Sequence, residues 1–214
     1  MVQYHRPPAA FLADAVALDF LNSRATADGP FDWLSDGAAL LNWLEEAKLV
    51  PRETLQTIEN EAFADELDKV ADEARDLREW FRSFVLRNMG GPLSPGALSE
   101  LEPLNRLLER GESYSQLVDT HAEDRGFELR AMRRCYTPDS LLLPIGEALA
   151  KFACDEDFSF VKACEGHNCT FLFADHTRRR GRRWCSMAVC GNRAKAQAHR
   201  HRVRQTNSSP DGSM

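Results

Sequence analysis

Long hydrophobic runs are missing from this sequence. No stretch of its 214 residues approaches 18 consecutive apolar residues, which excludes a helix crossing a membrane. The opening stretch, MVQYHRPPAAFLADAVALDF, has no charged segment followed by a continuous apolar core, so no secretory leader is expected and a reducing, cytoplasmic setting is. Catalytic signatures are missing too: there is no G-x-S-x-G, no phosphate-binding loop, no G-x-G-x-x-G and no H-E-x-x-H. His121 beside Glu123 and Asp124 is the one catalytic-looking cluster, and a charged turn accounts for it. The chain therefore reads as a binder and not an enzyme; a pocket in the helical part is where an activity would have to sit. Acidic residues are absent between Arg178 and Arg204, where ten Lys and Arg occur.

Cysteine is scarce, six in all, but four fall in the last quarter as two pairs, Cys164-x4-Cys169 and Cys185-x4-Cys190, with fifteen residues between them. Two short loops that each deliver two thiols suit a structural zinc ion, one per chain. Two disulfides or four ordinary buried thiols are the alternatives, and His167 inside the first loop is a rival ligand. Four sulfur ligands would leave zinc no open position for water. Phe171-Leu172-Phe173 reads as a short strand and Arg182-Arg183-Trp184 as its partner, with Gly181 at the turn. A helix is expected from Ala194 to Arg204. Knuckle, hairpin, second pair and helix is the order of a treble clef, in which metal replaces a core that some forty residues cannot build. Gly191 is expected to let a backbone N–H approach the Cys190 sulfur. Cys135 and Cys154 read as buried free thiols.

Charge is split along the chain. From Lys162 onward the net charge is +8, and the preceding 161 residues carry −14. Such asymmetry suggests that the basic end meets an anion. On the last helix Arg193, Gln197, Arg200 and Arg204 fall along one side, Lys195, His199 and Arg202 form a second stripe, and Ala194 with Ala198 gives a small packing face. Arg and Gln can read guanine and adenine in a major groove. Arg178, Arg179, Arg180, Arg182 and Arg183 are placed to grip phosphates. Duplex DNA is the expected partner; RNA or an acidic protein surface are the alternatives.

The rest of the chain reads as helical. A helix is expected from Val16 to Arg24, with Asp19 and Asn22 on one face as an interior polar pair, a cap or part of a pocket. A second is expected from Ser35 to Ala47, with Trp33 and Trp43 as core anchors. From Pro51, at the first helical position, no Gly or Pro interrupts the pattern through Asn88, and a break is expected near Glu61. Arg75, Arg78 and Arg82 read as a solvated charge lattice, with an anion pocket as the sharper option. A helix capped by Ser94 is expected to run to Gly111, followed by a β-hairpin over 113–121 and 125–135. Another helix, opened by Thr137-Pro138-Asp139, spans Leu141 to Phe152. Phe158 to Lys162 reads as a strand, residues 1–10 as an irregular lead-in and 206–214 as a disordered tail.

The string Trp184 to Lys195, W-C-S-M-x-x-C-G-N-R-x-K, resembles the CGNR zinc finger, and the upstream C-x4-C and the Phe-Leu-Phe-x-Asp at 171–175 fit it. Leu18-Asp19-Phe20-Leu21-Asn22-Ser23 resembles the L-D-F-x-N-T signature of the ABATE domain that precedes this finger; Ser23 replaces the Thr, and Phe11-Leu12-Ala13-Asp14 stands where an aromatic-Gly-Gly is usual. The resemblance implies zinc and suggests DNA binding in a stress-induced bacterial transcription regulator. The expected architecture is mainly α with a small β element: a helical body over 1–157, a treble-clef-like four-cysteine finger over 158–205 and a tail over 206–214. The body would take up a small-molecule effector or join two copies, since a palindromic target needs two fingers and apolar helices could supply the contact.

Overall fold

The computed structural model describes residues 9–25, 31–122, 125–133 and 137–207. Cys135, Glu123, Asp124, the turn at 28–30 and the expected tail from 208 lie outside them, as does the side chain of His121. The described residues fall into two compact units. One is built from the stretch up to Asp32, Val85–Pro92 and the chain from Asp157; the other is Trp33–Phe84 with Leu93–Glu156. Among the described residues no helix is long and apolar enough to cross a membrane.

In the first unit, helix α1 covers Val16–Leu21 and is followed by a two-residue antiparallel pair, β1 (Arg24–Ala25) with β2 (Phe31–Asp32). The second unit is mainly helical. Helix α2 (Gly37–Glu46) starts where Asp36 accepts from the Ala39 N–H at 2.8 Å, so Trp33 and Leu34 precede the helix instead of belonging to it. Helix α3 (Arg52–Glu61) has Pro51 at its cap and not at its first turn. It ends at extended Ala62, and α4 (Ala64–Asn88) restarts with Glu66 accepting from the Phe63 N–H at 2.9 Å. The expected break is thus a capping interaction, not a Gly or Pro.

The single helix expected from Ser94 to Gly111 is two short ones, α5 (Ala97–Glu100) and α6 (Glu102–Leu108). Pro103 has no N–H to continue the ladder, so the helix stops and starts again one residue before it. The hairpin is present as β3 (Ser113–Ala122) with β4 (Arg125–Arg133). A 3-10 turn at Pro138–Leu141 leads into α7 (Leu142–Asp155). The core of this unit includes Trp43, Leu44, Phe81, Phe84, Ile145 and Leu149, with the Phe81 ring 5.6 Å from Phe84 and 6.3 Å from Phe152. Trp33 and Trp43 are core anchors as expected. Arg78 corrects the expected charge lattice: it is 1% exposed and its Nε donates to Glu79 at 3.1 Å. Arg75 donates to the carbonyls of Leu34 and Ser35 and pairs with Asp72, so it closes the entry to α2. Cys154 is exposed on α7, not buried, because the helix turns its Leu149 and Phe152 face inward.

The chain then returns to the first unit. Phe158–Phe160 is a 3-10 turn, not a strand, and only Val161–Ala163 forms the strand β5. Its partner is β6 (Leu172–Ala174), not Arg182–Trp184. A π-helical turn at Met187–Gly191 opens into α8 (Asn192–Asn207). The outer edge of β6 is closed by the N-terminal segment: Asn22 accepts from the Leu172 N–H at 2.9 Å and donates to the Leu172 carbonyl at 2.7 Å, and the Ala174 N–H donates to the Ala13 carbonyl at 3.0 Å. Asn22 thus stands in for the peptide of a neighbouring strand. Buried Asp19 holds the same segment by accepting from the N–H groups of Leu12 and Ala13 at 2.8 and 2.9 Å. Of the three roles open to this pair, both residues take the structural one.

Candidate metal centre and basic surface

The first cysteine pair lies in the loop of the β5–β6 hairpin. The Cys164 N–H donates to the Phe171 carbonyl at 2.9 Å and the Cys169 N–H to that of Gly166 at 3.0 Å, which curls the loop around its own thiols. Asn168 takes a left-handed conformation, φ 60°, to complete the turn. Gly166 is there for space: a Cβ would lie 2.8 Å from the Cys190 sulfur and 3.3 Å from that of Cys164.

The second pair flanks the π turn. Its i→i+5 bond runs from the Gly191 N–H to the Ser186 carbonyl at 3.0 Å, and the Cys185 and Cys190 sulfurs lie 3.7 Å apart. The wide x4 spacing is therefore absorbed by one wide helical turn. The Gly191 N–H closes the π turn and so is not itself the backbone donor to the Cys190 sulfur. A Cβ here would fall 2.7 Å from the Met187 sulfur, the far end of a half-exposed side chain that would have to move aside.

All four sulfurs lie within 4.8 Å of one another. The Cys169 and Cys185 sulfurs are 3.9 Å apart. A zinc ion with bonds of about 2.3 Å to four sulfurs needs tetrahedron edges of about 3.8 Å, so the set fits it closely. The N–H groups of Gly166 and Cys185 donate to the Cys164 sulfur from 3.4 and 3.2 Å, which orients that sulfur toward the other three. The thiol from Cys185 pulls Cys169 down; the same contact pushes Cys185 up, and burial pushes Cys190 up. The pocket thus favours one negative sulfur and opposes the next ones, a balance that a divalent cation reverses. His167 is exposed and outside the cluster.

Asp175 organises the basic loop that follows β6. It is fully buried and accepts from Lys162 Nζ at 2.7 Å, Thr177 Oγ1 at 2.6 Å, the Thr177 N–H at 3.1 Å and the Arg182 N–H at 2.9 Å. Burial opposes its ionisation, but these bonds outweigh it and hold the carboxyl well below the usual range. In the sequence Asp175 stood out only as the last residue of the Phe-Leu-Phe-x-Asp string, with no role of its own; an acid closing the apolar run Phe171–Ala174 was the available signal.

The arginines divide by direction. Arg182 points inward: it pairs with Asp14, donates to the carbonyls of Leu12, Trp184 and Cys185, and sits 4.4 Å over the Phe173 ring. Arg180 lies 3.9 Å over the Phe160 ring and donates to the Asp175 carbonyl. Arg183 pairs with Glu165 at 2.7 Å and flanks the Trp184 ring at 5.1 Å. Arg178 and Arg179 are exposed, with no side-chain partner among the described residues. On α8 every described side chain from Lys195 to Arg202 is exposed, Gln197 and Arg200 included; Arg193 is half-buried, and the Arg204 side chain lies outside the described residues. Of the small face expected on this helix, Ala194 is half-buried and Ala198 is exposed. An open groove of about 730 Å³ runs between Phe11, Leu12 and Asp14 on one side and Arg179, Trp184 and Met187 on the other.

A profile of the ABATE family, described as "Putative stress-induced transcription regulator", matches residues 14–156. The chain belongs to the ABATE family. A CGNR zinc finger profile matches residues 161–203 of the same ABATE chain, a span that includes all four clustered cysteines. No curated protein matches the chain. In this ABATE protein the signature residues Asp19 and Asn22 hold the N-terminal segment and the finger strand β6 together.

Proposed function

We propose that this ABATE protein is a zinc-dependent transcription regulator whose finger contacts duplex DNA. One zinc ion per chain, held by Cys164, Cys169, Cys185 and Cys190, keeps the finger folded. The helical part senses an effector or joins two copies, in a cytoplasmic stress response. One observation carries the reading. A helix of exposed, acid-free side chains starts directly behind the fourth cysteine, so the metal fixes the base of an element about 24 Å long and of major-groove width. The finger acts as a binder and supplies no catalytic step, because four sulfurs fill the zinc coordination shell.

Anisotropy of labelled duplex DNA across a salt series tests it. Within the finger, Arg178, Arg179, Lys195 and Arg200 are the exposed cations with no partner among the described residues, so about four released counterions and a log–log salt slope of about −4 are expected. A slope near zero, or no duplex binding, overturns the reading. Preference for single-stranded RNA would favour the RNA alternative, which the same basic surface suits. Binding to neither would leave a protein-contact module.

A further inference from the structure

The hairpin of the second unit is built like half of a sheet. Among the described residues β3 and β4 pair only with each other, so each leaves an outer edge of open N–H and C=O groups. Leu117 and Leu129 are directly opposite across the ladder, and Phe127 lies one step along the same face. They are 69%, 70% and 76% exposed. A two-stranded hairpin alone is marginal in water. Natural edges are guarded by Pro, Lys or bulges. The irregularity here lies near the tip, between Asp119 and Ala122, and the stretch Gly126 to Ala131 contains neither Pro nor Lys.

We propose that β4 pairs antiparallel with β4 of a second copy about a two-fold axis at Leu129, giving a four-stranded sheet. Charge complementarity selects this partner and this register. With Leu129 facing itself, Glu128 is opposite the partner's Arg130, and Arg130 opposite the partner's Glu128. Both side chains are about half exposed and already meet within one chain. Phe127 falls in register with the partner's Ala131, large against small. The leucines then form one row across the sheet, two from each copy, so each Leu129 gains an apolar neighbour at the seam. Pairing through β3 about Leu117 would set Gln116 against Val118 and Ser115 against Asp119, with no opposite charges. The contact therefore lies on the hairpin and not on the apolar helices, and it holds whatever the finger binds.

Sedimentation of the full chain tests it. The wild type is expected near 48 kDa, twice the 24.2 kDa chain. Glu128→Arg and Arg130→Glu each place like charges at two symmetry-related positions of the seam, and each should weaken the dimer about tenfold or more. Mixed in equal amounts, the two variants regain complementary seams and should form a heterodimer; the contact within one chain cannot produce that rescue. The double variant, Glu128→Arg with Arg130→Glu, should dimerise like wild type, and far-UV circular dichroism of each single variant should match it. A monomeric wild type, single variants that dimerise undiminished, or a mixture that stays monomeric would each overturn the proposal, the first leaving the apolar face to a different protein.

Discussion

Replacing Asn22 tests the joint between the N-terminal segment and the finger. Its side chain makes two hydrogen bonds to Leu172, and both residues are 1% exposed. Asn22→Ala leaves the Leu172 N–H and carbonyl buried without partners. Each orphan costs about 1–3 kcal/mol, so a loss of about 2–6 kcal/mol is expected. At about 3 kcal/mol the Leu172 amide should exchange with solvent deuterium on the order of 100-fold faster, since about 1.4 kcal/mol is a factor of ten. Asn22→Asp separates the two bonds. It can still accept from the Leu172 N–H, but an ionised carboxylate has nothing to donate and faces a carbonyl oxygen. Burial and that oxygen raise its folded pKa above the unfolded value of about 3.9, so the deficit is largest at neutral pH and shrinks as the pH falls through the folded pKa. Mass-spectrometric hydrogen exchange of peptides covering 171–174, at several pH values, reads both effects. Wild-type exchange in Asn22→Ala, or a pH-independent deficit in Asn22→Asp, would refute the assigned bonding.

Further outcomes follow from the same geometry. Chelation should release one zinc per chain and unfold the finger, while helical circular dichroism from the second unit persists; Cys190→Ser should do the same, and a variant retaining tightly bound zinc would contradict the four-sulfur set. Gly166→Ala should weaken zinc affinity more than Gly191→Ala in a competition titration, because its new Cβ meets ligand sulfurs whereas the other meets the flexible end of Met187. Asp19, raised to about 6 by burial against its two N–H bonds and with Asp14 nearby, is easier to protonate folded than unfolded, so its contribution is greatest below about pH 4 and declines as pH rises through about 6. Asp19→Asn should flatten that decline, by at most about 3 kcal/mol in denaturant titrations at pH 5 and 8. Asp175→Ala strips Lys162 and the Arg182 N–H of a buried partner and should cost about 3–5 kcal/mol, with the wild-type bond lost only at strongly acid pH.

The four-cysteine cluster was legible because ligand chemistry is written in short local spacings, and so were the helices with an uninterrupted three-four pattern. The hairpin β3–β4 was legible for the same local reason. What escaped depended on distance in the chain. Arg182 reads as one more phosphate-gripping arginine until Asp14 and the Leu12 carbonyl, some 170 residues earlier, are seen to occupy it. The partner of β6 was misplaced because a basic Arg-Arg-Trp looks as strand-like as Val-Lys-Ala, and only the backbone ladder from Val161 opposite Ala174 to Ala163 opposite Leu172 decides between them. Arg78 gave no local hint of burial; charged and apolar neighbours alternate around it in sequence, and the helix face alone decides.

The pairing of Asn22 with Leu172, 150 residues apart, sets an order on synthesis. At roughly 5–20 residues per second, α1 leaves the ribosome about 8–30 s before the strand it must join. For that time Leu18, Phe20 and Leu21, all buried in the finished fold, have no β6 beside them. Helix α1 is therefore a natural client for a chaperone, and the arrival of β6 decides when it can let go. A chain terminated before β6 would carry that exposed helix permanently, whatever the fate of its second unit.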